Sequence, residues 1–174
     1  MRLFIAIDFP PELRGALAAD TERLRRFISS GRFTPRENYH LTLVFLGETP
    51  PDRLGVVVEA MEECPFASFP LSVGELGRFR RREGDILWRR VDGGQPLSQL
   101  QAGLCEALRQ RGFSIEEREF RPHLTLARRA VLPEGSRLEN ISGCLTPVLH
   151  RAGSMVLFRS RGGTYTPLHT VRAV

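Results

Sequence analysis

The sequence predicts an α+β protein of 174 residues that folds as one domain with two pseudo-symmetric lobes. A tetrapeptide occurs twice without change, as His40-Leu41-Thr42-Leu43 and as His123-Leu124-Thr125-Leu126. The elements around each copy follow the same order. A helix, an irregular link and the strand that carries the motif occur within 11–47 and again within 96–128. Helices and strands alternate without the Gly-rich turns of dinucleotide and P-loop sites, which excludes those two classes. We therefore expect one motif in each of two corresponding lobes.

A strand, a helix and the first motif strand open the chain. Residues 3–8 form a short apolar run that predicts a central strand. Pro10-Pro11 then starts a helix, because proline is tolerated in the first helical turn, and the helix ends at Gly31. Its apolar residues recur at helical spacing, namely Leu13, Leu17, Leu24 and Ile28. The first motif strand is predicted over 40–47.

Two helices and a hairpin lie between the motifs. The proline pair at 50–51 starts the second helix, which closes before Pro65. Residues 69–79 and 86–91 predict two strands that are joined by a charged turn. The third helix runs from Pro96 to its stop at Gly112, with one leucine face made by Leu97, Leu100, Leu104 and Leu108.

The last part of the chain carries the second motif strand, predicted over 123–128. A short helix follows near 134–140, and two further strands are predicted around 147–159 and 166–174. The last of these is a candidate edge strand. Helices and strands thus continue to the end of the chain without a low-complexity tract.

The hairpin between the motifs contains two features that bear on RNA binding. Trp88 is the single tryptophan, and we interpret it as a core residue in preference to a platform for a stacked base. The turn before it is basic, with Arg78, Arg80, Arg81 and Arg82. Contact with an RNA backbone and a solvated hairpin tip both remain open for this cluster.

Each motif places two different kinds of side chain on the two faces of its strand. Side chains alternate along a strand, so a histidine and a threonine share one face while both leucines point to the other. The leucine face is apolar and belongs to a core. A single copy is read most simply as a chance strand with a buried histidine, but two of the four histidines share this context. Paired histidines beside hydroxyl donors are suited to acid/base chemistry on a phosphate.

At these residues the chain resembles the two-histidine phosphoesterases, which carry paired His-x-Thr/Ser motifs. Within that family it is similar to the bacterial and archaeal RNA 2′,3′-cyclic phosphodiesterases, also described as 2′-5′ RNA ligases. The resemblance lies in the start at 2–8, in the first motif with its flank at 40–48, and in the second at 120–128. The segment Ile86-Leu87-Trp88 is similar to the middle strand of the family, so the likeness covers nearly the whole chain.

The resemblance implies both an architecture and a reaction. The two lobes would each be an antiparallel sheet with helices on its outer face, and they would flank a central cleft in which the motifs meet. The reaction would be hydrolysis of RNA 2′,3′-cyclic phosphate ends to a 2′-phosphate, with no metal and no cofactor. His40 would donate a proton to the leaving 3′ oxygen, and His123 would accept one from water. Thr42, Thr125 and Arg128 would bind the phosphate.

The sequence itself leaves two of these assignments open. Either histidine can be the acid, because the two motifs are identical. Strict alternation puts Arg128 on the leucine face, opposite His123, so that it reaches the phosphate only if the strand bends, bulges or ends before it. Arg129 has the correct parity and competes for the role.

Composition indicates the class of partner and the compartment. All 25 basic residues are arginine and the net charge is +5, which favours polyanionic partners, and arginine is well shaped for phosphate contacts. Three widely spaced cysteines without a C-x-x-C pattern fit a reducing cytoplasm. We expect no signal peptide, no membrane span and a monomer.

Other functions are weighed on the same residues. A metal hydrolase needs three or four converging ligands, and the motifs supply two histidines without acidic or cysteine partners at ligand spacing. ATP-dependent ligation through a nucleotidyl lysine is excluded, because the chain has no lysine. ATP-independent 2′-5′ ligation as a weak side activity and a non-catalytic RNA-binding module remain the alternatives. The substrate is open between RNA with cyclic phosphate ends and small cyclic nucleotides.

Overall fold

A computed structural model describes all residues from 1 to 174 and consists of two antiparallel sheets flanked by helices. The strands are β1 (Arg2–Asp8), β2 (Ser30–Phe33), β3 (His40–Glu48), β4 (Phe69–Phe79), β5 (Asp85–Asp92), β6 (His123–Val131), β7 (Val148–Ala152), β8 (Ser154–Arg161) and β9 (Thr164–Arg172). The helices are α1 (Pro11–Arg25), α2 (Leu54–Glu62), α3 (Gly94–Gln110) and α4 (Leu138–Ser142), with short 3₁₀ turns at 36–38 and 51–53. The predicted α+β fold class is confirmed.

The two sheets repeat one topology, and the two motif strands occupy equivalent places in it. The first sheet has the order β3-β1-β8-β9, and the second has the order β2-β6-β5-β4-β7. Leaving aside the extra edge strand β2, each motif strand pairs with a central strand, the central strand pairs with a third strand, and the third strand pairs with a fourth. All of these pairings are antiparallel. The pseudo-symmetry predicted from the doubled motif therefore lies in the sheets.

Most buried apolar residues belong to one cluster that includes residues of both sheets and of the helices. Strand β1 supplies Leu3, Ile5 and Ile7 to that cluster, because alternate side chains of a strand share one face. Its other face contributes to a second, small cluster formed by Phe4, Ala6, Val156 and Phe158. The first sheet is thus covered on one face by the main core and on the other by an aromatic layer.

A buried ion pair attaches the first helix to the second sheet. Arg89 of β5 is fully buried, and its Nη1 donates to the carboxylate of Asp20 in α1 at 2.8 Å. The remaining donors of the guanidinium reach backbone carbonyls, including Gly74 O at 2.7 Å and Thr146 O at 2.8 Å. Because all three of its nitrogens donate to partners within the protein and the side chain is fully buried, this arginine is a structural residue and not a candidate for phosphate binding.

The structure differs from the sequence prediction at several element boundaries. Strand β2 was not predicted, because it is an edge strand of four residues, of which only Phe33 is apolar, and it has no alternating pattern. The strand expected over 147–159 is two strands, and the chain passes from the second sheet to the first at Gly153. None of the helices is both long and apolar enough to span a membrane.

Candidate active site

The two motif strands present their histidines and threonines on one face, as alternation predicts. In β3 the side chains of His40 and Thr42 are half-buried, and in β6 those of His123 and Thr125 are likewise half-buried. The four leucines of the two motifs are buried in the main core. Each histidine therefore stands at the boundary between the core and the space that the two lobes share.

Both motif strands contain a β-bulge at the fourth residue of the motif. In the first sheet Thr42 pairs with Ala6 while Val44 pairs with Ile5, so Leu43 has no partner. In the second sheet the pairs on either side of the bulge join Thr125 to Trp88 and Ala127 to Leu87, so Leu126 is the unpaired residue. The extra residue shifts the alternation by one place. The side chains that follow the bulge on the motif face are consequently Phe45 and Arg128.

The bulge decides which arginine approaches the histidines. Arg128 is exposed on the motif face, and its charge lowers the pKa of both His40 and His123. Arg129 has a left-handed backbone with φ of 52°, and its guanidinium pairs with Glu83 at 3.0 Å. Strict alternation, which placed Arg128 on the leucine face and favoured Arg129, does not hold in this strand.

A backbone carbonyl fixes the tautomer of each histidine. Nδ1 of His40 lies 2.7 Å from the carbonyl oxygen of Asn38, and Nδ1 of His123 lies 2.6 Å from that of Arg121. A carbonyl oxygen only accepts, so Nδ1 carries the hydrogen in both rings and the neutral imidazole has its lone pair on Nε2. Nε2 of His40 is 2.9 Å from Oγ1 of Thr42, whereas no hydrogen bond joins Thr125 to His123. Each ring therefore has a single nitrogen available for proton transfer.

Aromatic rings pack against both imidazoles. The ring of His40 lies 4.9 Å from Phe4 and 5.3 Å from Tyr165, measured between centroids. The ring of His123 lies 5.2 Å from Phe79 and 5.9 Å from Trp88. Such packing holds the imidazoles in place and removes water from one side of each ring.

Trp88 lies on the motif face of β5, so its interpretation as a core residue is wrong. Its indole covers Gly77 of the adjacent strand so closely that a Cβ there would lie 2.2 Å from the ring. The indole Nε1 is buried and has no hydrogen-bond partner. A larger residue at position 77 would displace the indole and, with it, the packing around His123.

Burial is the main cause that lowers the pKa of both histidines. For His40 the charges of His123 and Arg128 lower the pKa further, while the Asn38 carbonyl and the carboxylate of Asp8 oppose the shift. For His123 the charges of Arg128 and Arg118 add to burial, and the Arg121 carbonyl opposes them. The unliganded site thus favours two neutral imidazoles. An anionic phosphate between them would favour protonation of one.

The other two histidines lie away from this site. His150 packs against Phe9 at 5.9 Å between ring centroids, and burial lowers its pKa. His169 contacts Glu62 of α2, with Nε2 at 2.7 Å from the carboxylate. No three side chains of the types that bind metals converge on a common point in this structure.

A cavity of about 280 Å³ opens beside His40. Its lining includes Asp8, which pairs across the strands with His40, and Tyr165 and Phe158 of the first sheet. A larger opening of about 540 Å³ lies between the 63–69 loop and α3 and contacts neither histidine. The cavity at His40 is therefore the one that belongs to the site.

Sequence reasoning missed three residues of the motif face or of the cavity beside His40. Asp8 follows the first apolar run directly, and its place opposite His40 depends on the antiparallel register of β1 and β3. Phe45 reaches the motif face only because of the bulge, and it is 49% exposed there. Tyr165 is distant from both motifs in the chain. Of the three, only Asp8 could have been identified from the sequence, because it is the polar residue that ends a buried strand.

Comparison with known proteins gives consistent matches over most of the chain. Residues 10–164 match the model of the family described as the 2′-5′ RNA ligase superfamily. An RNA 2′,3′-cyclic phosphodiesterase of Thermotoga maritima is 33% identical over 77% of this chain and 73% of its own length. One of Geobacillus stearothermophilus is 33% identical over 72% of this chain, and the match spans only 41% of that longer protein.

Solved structures share the architecture from end to end. The protein TT0787 of Thermus thermophilus has a TM-score of 0.79 and 25% identity, with 99% of this chain and 97% of that chain covered. E. coli LigT in complex with 3′-AMP has a TM-score of 0.77 and 26% identity over the same shares. With the family model matched over 155 of the 174 residues from Pro10 to Thr164, the chain belongs to the 2′-5′ RNA ligase superfamily.

Proposed function

We propose that this protein hydrolyses RNA 2′,3′-cyclic phosphate ends to a 2′-phosphate by paired histidine acid/base catalysis that needs no metal. The observation that carries the proposal is the geometry of the two imidazoles. Each has Nδ1 bonded to a backbone carbonyl and Nε2 left for proton transfer, and the charge of Arg128 acts on both. Relatives with the name RNA 2′,3′-cyclic phosphodiesterase support the choice of substrate.

The reaction is an in-line displacement at phosphorus. His123 accepts a proton from water at Nε2 as the water oxygen bonds to phosphorus. The bond from phosphorus to the 3′ oxygen breaks on the opposite side, and protonated His40 gives its Nε2 proton to that oxygen. The product is a ribose with a free 3′-hydroxyl and a 2′-phosphate. Water gives one proton to His123, and His40 gives one proton to the product. The two histidines therefore still hold one proton after the reaction, and that proton is on His123.

Nearby charges support this assignment of acid and base. The carboxylate of Asp8 favours the charged form of His40, and Arg118 favours the neutral form of His123. Burial and the charge of Arg128 lower the pKa of both rings, so they do not support either assignment. The charges of Asp8 and Arg118 support a protonated His40 and a neutral His123.

Three other side chains stabilise the negative charge that develops on the phosphate. The hydroxyls of Thr42 and Thr125 donate to the non-bridging oxygens, and Arg128 donates from its guanidinium. In the unliganded site Thr42 is engaged with Nε2 of His40. Substrate binding exchanges this hydrogen bond for one to phosphate oxygen, which frees Nε2 for the leaving group.

The test uses an RNA oligonucleotide with a 2′,3′-cyclic phosphate end, in the presence of excess chelator. We expect a 2′-phosphate product from the wild type and its loss in His40→Asn and in His123→Asn. His150→Asn is the matched control, because that ring is also partly buried with a lowered pKa but lies outside the site. A 3′-phosphate product, or activity that the chelator abolishes, would contradict the proposal.

A second candidate function is ligation by the reverse reaction. The description of the family as 2′-5′ RNA ligases favours it. A 5′-hydroxyl RNA would then replace water at His123, and a 2′-5′ linkage would form without ATP. Addition of a 5′-hydroxyl oligonucleotide to the same assay measures this activity. RNA binding that is unchanged in both histidine variants, with no turnover in the wild type, would indicate a binding module instead.

A further inference from the structure

The two sides of the reacting phosphate differ in the space that they offer. Beside His40 the cavity of about 280 Å³ opens between the 36–38 turn and the first sheet. Beside His123 the imidazole is packed by Phe79 and Trp88, and the indole covers Gly77. Of the two cavities described above, only the one at His40 borders a motif histidine, and it has room for a group as large as a nucleobase.

The cavity combines an apolar wall with a polar rim of hydrogen-bond acceptors. The wall is formed by Phe158, Tyr165 and Pro167, and the rim by Asp8, Glu37 and Asn38. Asn38 uses its amide nitrogen to donate to the Gly163 carbonyl at 2.7 Å, so its side-chain oxygen remains free to accept.

Glu37 is the one carboxylate of the cavity without an ion-pair partner. Arg14 pairs with Asp8, so the Glu37 carboxylate remains a free acceptor at the rim. With His40 protonated as the acid, the lining still carries no excess positive charge that would bind a phosphate inside the cavity. Arg128 makes the opposite side of the reacting centre positive. This separation of charge orients a substrate with its phosphate toward Arg128 and its neutral base toward Glu37.

We infer that this cavity binds the base of the terminal nucleotide and selects bases with an exocyclic amino group, an inference that rests on the proposed function. In-line displacement puts water and ribose on opposite sides of phosphorus, so the ribose and its base lie on the side of the acid, His40. The plane of a base stacks on Tyr165, and its amino group donates to the acceptors of the rim.

The hydrogen-bonding groups of the four bases predict which terminal nucleotides this cavity prefers. Adenine, cytosine and guanine each present an amino group that donates to Glu37 or to the oxygen of Asn38. Uracil presents carbonyl oxygens and a single N–H, so at least one of its acceptors faces an acceptor of the protein. The unpaired groups make uridine ends poor substrates, by about tenfold if one charge-assisted hydrogen bond is lost.

The experiment compares four RNA oligonucleotides that differ only in the terminal nucleotide with its 2′,3′-cyclic phosphate. We expect kcat/KM for adenosine, cytidine and guanosine ends to exceed that for the uridine end by about tenfold. In Glu37→Gln the amide can donate to a uracil carbonyl, so this difference should fall to about twofold or less. Glu134→Gln is the matched control, because Glu134 is exposed, unpaired and outside the cavity.

Each outcome separates the inference from the proposed function. Equal kcat/KM for all four ends in the wild type would overturn the inference and leave the function intact. A preference that Glu37→Gln does not change would overturn the assignment to this cavity. Turnover of no cyclic end would overturn the proposed function and the inference with it.

Discussion

The two copies of the motif share their backbone geometry and differ in the side chains around it. Both have a bulge at the fourth residue and a histidine with Nδ1 bonded to the carbonyl two residues earlier. Opposite the histidine, however, the neighbouring strand carries Asp8 in one lobe and Arg90 in the other. The carboxylate of Asp8 raises the pKa of His40, whereas the charges that act on His123, those of Arg128 and Arg118, lower its pKa. The difference teaches that one repeated backbone can hold two imidazoles in different electrostatic surroundings.

Further along the strands the same contrast continues. The motif-face residue after the bulge is Phe45 in the first lobe and Arg128 in the second. Next to the motif threonines stand Ala6 and Trp88, a small and a large side chain. The first lobe therefore has a cavity beside its histidine, and the second lobe carries the more basic side chains near its own.

Replacement of the histidines gives the largest expected effect. His40→Asn and His123→Asn should each lower kcat/KM by about 10² to 10⁴, the usual contribution of a positioned acid or base. The residual activities should differ in their pH profiles. Loss of His40 removes the alkaline limb, since no acid remains to be deprotonated, and loss of His123 removes the acidic limb. Identical residual profiles in the two variants would contradict the division of roles between the lobes.

The core faces of the two lobes differ at the positions of Ile7 and Arg89, which pair with Leu41 and Leu124 respectively. We expect Arg89→Ala to lower the free energy of unfolding by about 3–5 kcal/mol, because the buried Asp20 would lose its buried cation and keep only the half-exposed Arg23 and the Thr146 N–H as partners. Ile7→Val should cost only about 0.5–1.5 kcal/mol. Urea unfolding measures both.

A double variant separates the loss of a partner from the loss of packing. If the loss of the buried cation beside Asp20 causes the cost, Arg89→Met combined with Asp20→Leu should recover most of the stability. A double variant that is as unstable as Arg89→Ala would show instead that the hydrogen bonds of Arg89 to the backbone carbonyls are the main contribution.

Exchange of the residues after the bulges has a smaller effect on activity. Arg128→Gln should lower kcat/KM by about tenfold to a hundredfold, through the loss of a charge-assisted hydrogen bond to phosphate. Phe45→Gln, at the corresponding place in the other lobe, should change it by much less. Equal losses would indicate that both positions bind the same part of the substrate. Steady-state kinetics on one cyclic-phosphate oligonucleotide compares the two.

The smallest expected effect is on the pH dependence. Because the pKa of each histidine is lowered, the bell-shaped profile of kcat/KM should be centred below the ordinary histidine value of about 6.5. The profile of kcat should lie at higher pH, since bound phosphate stabilises the imidazolium. Asp8→Asn removes a charge that raises the pKa of His40, so the alkaline limb should move to lower pH. Arg90→Gln, whose guanidinium pairs with Glu75, is the comparison variant.

The sequence was sufficient for the fold class, the main helices and both motif strands, because these depend on periodicity and on repetition. The bulges at Leu43 and Leu126 could not be established from the sequence, since the broken alternation at Ala127 and Arg128 is equally explained by a strand that bends or ends there. The side of β6 on which Arg128 lies depends on these bulges. The contact of Asp20 with Arg89 joins residues far apart in the chain, and Trp88 appears as a motif-face residue only when its cross-strand neighbours are known. Long-range register, and not local propensity, decided these features.

The hydrogen bonds that fix Nδ1 have a consequence for the catalytic cycle. After one turnover the proton would rest on His123 and not on His40, so the enzyme would be in the wrong ionisation state for a second. Because Nδ1 of each ring is held by a carbonyl, protons can exchange with solvent only at Nε2, which faces the substrate. The product blocks that route until it leaves. Under the proposed mechanism, recovery of the starting state would therefore be a separate step that follows product departure and uses solvent or buffer as the proton carrier.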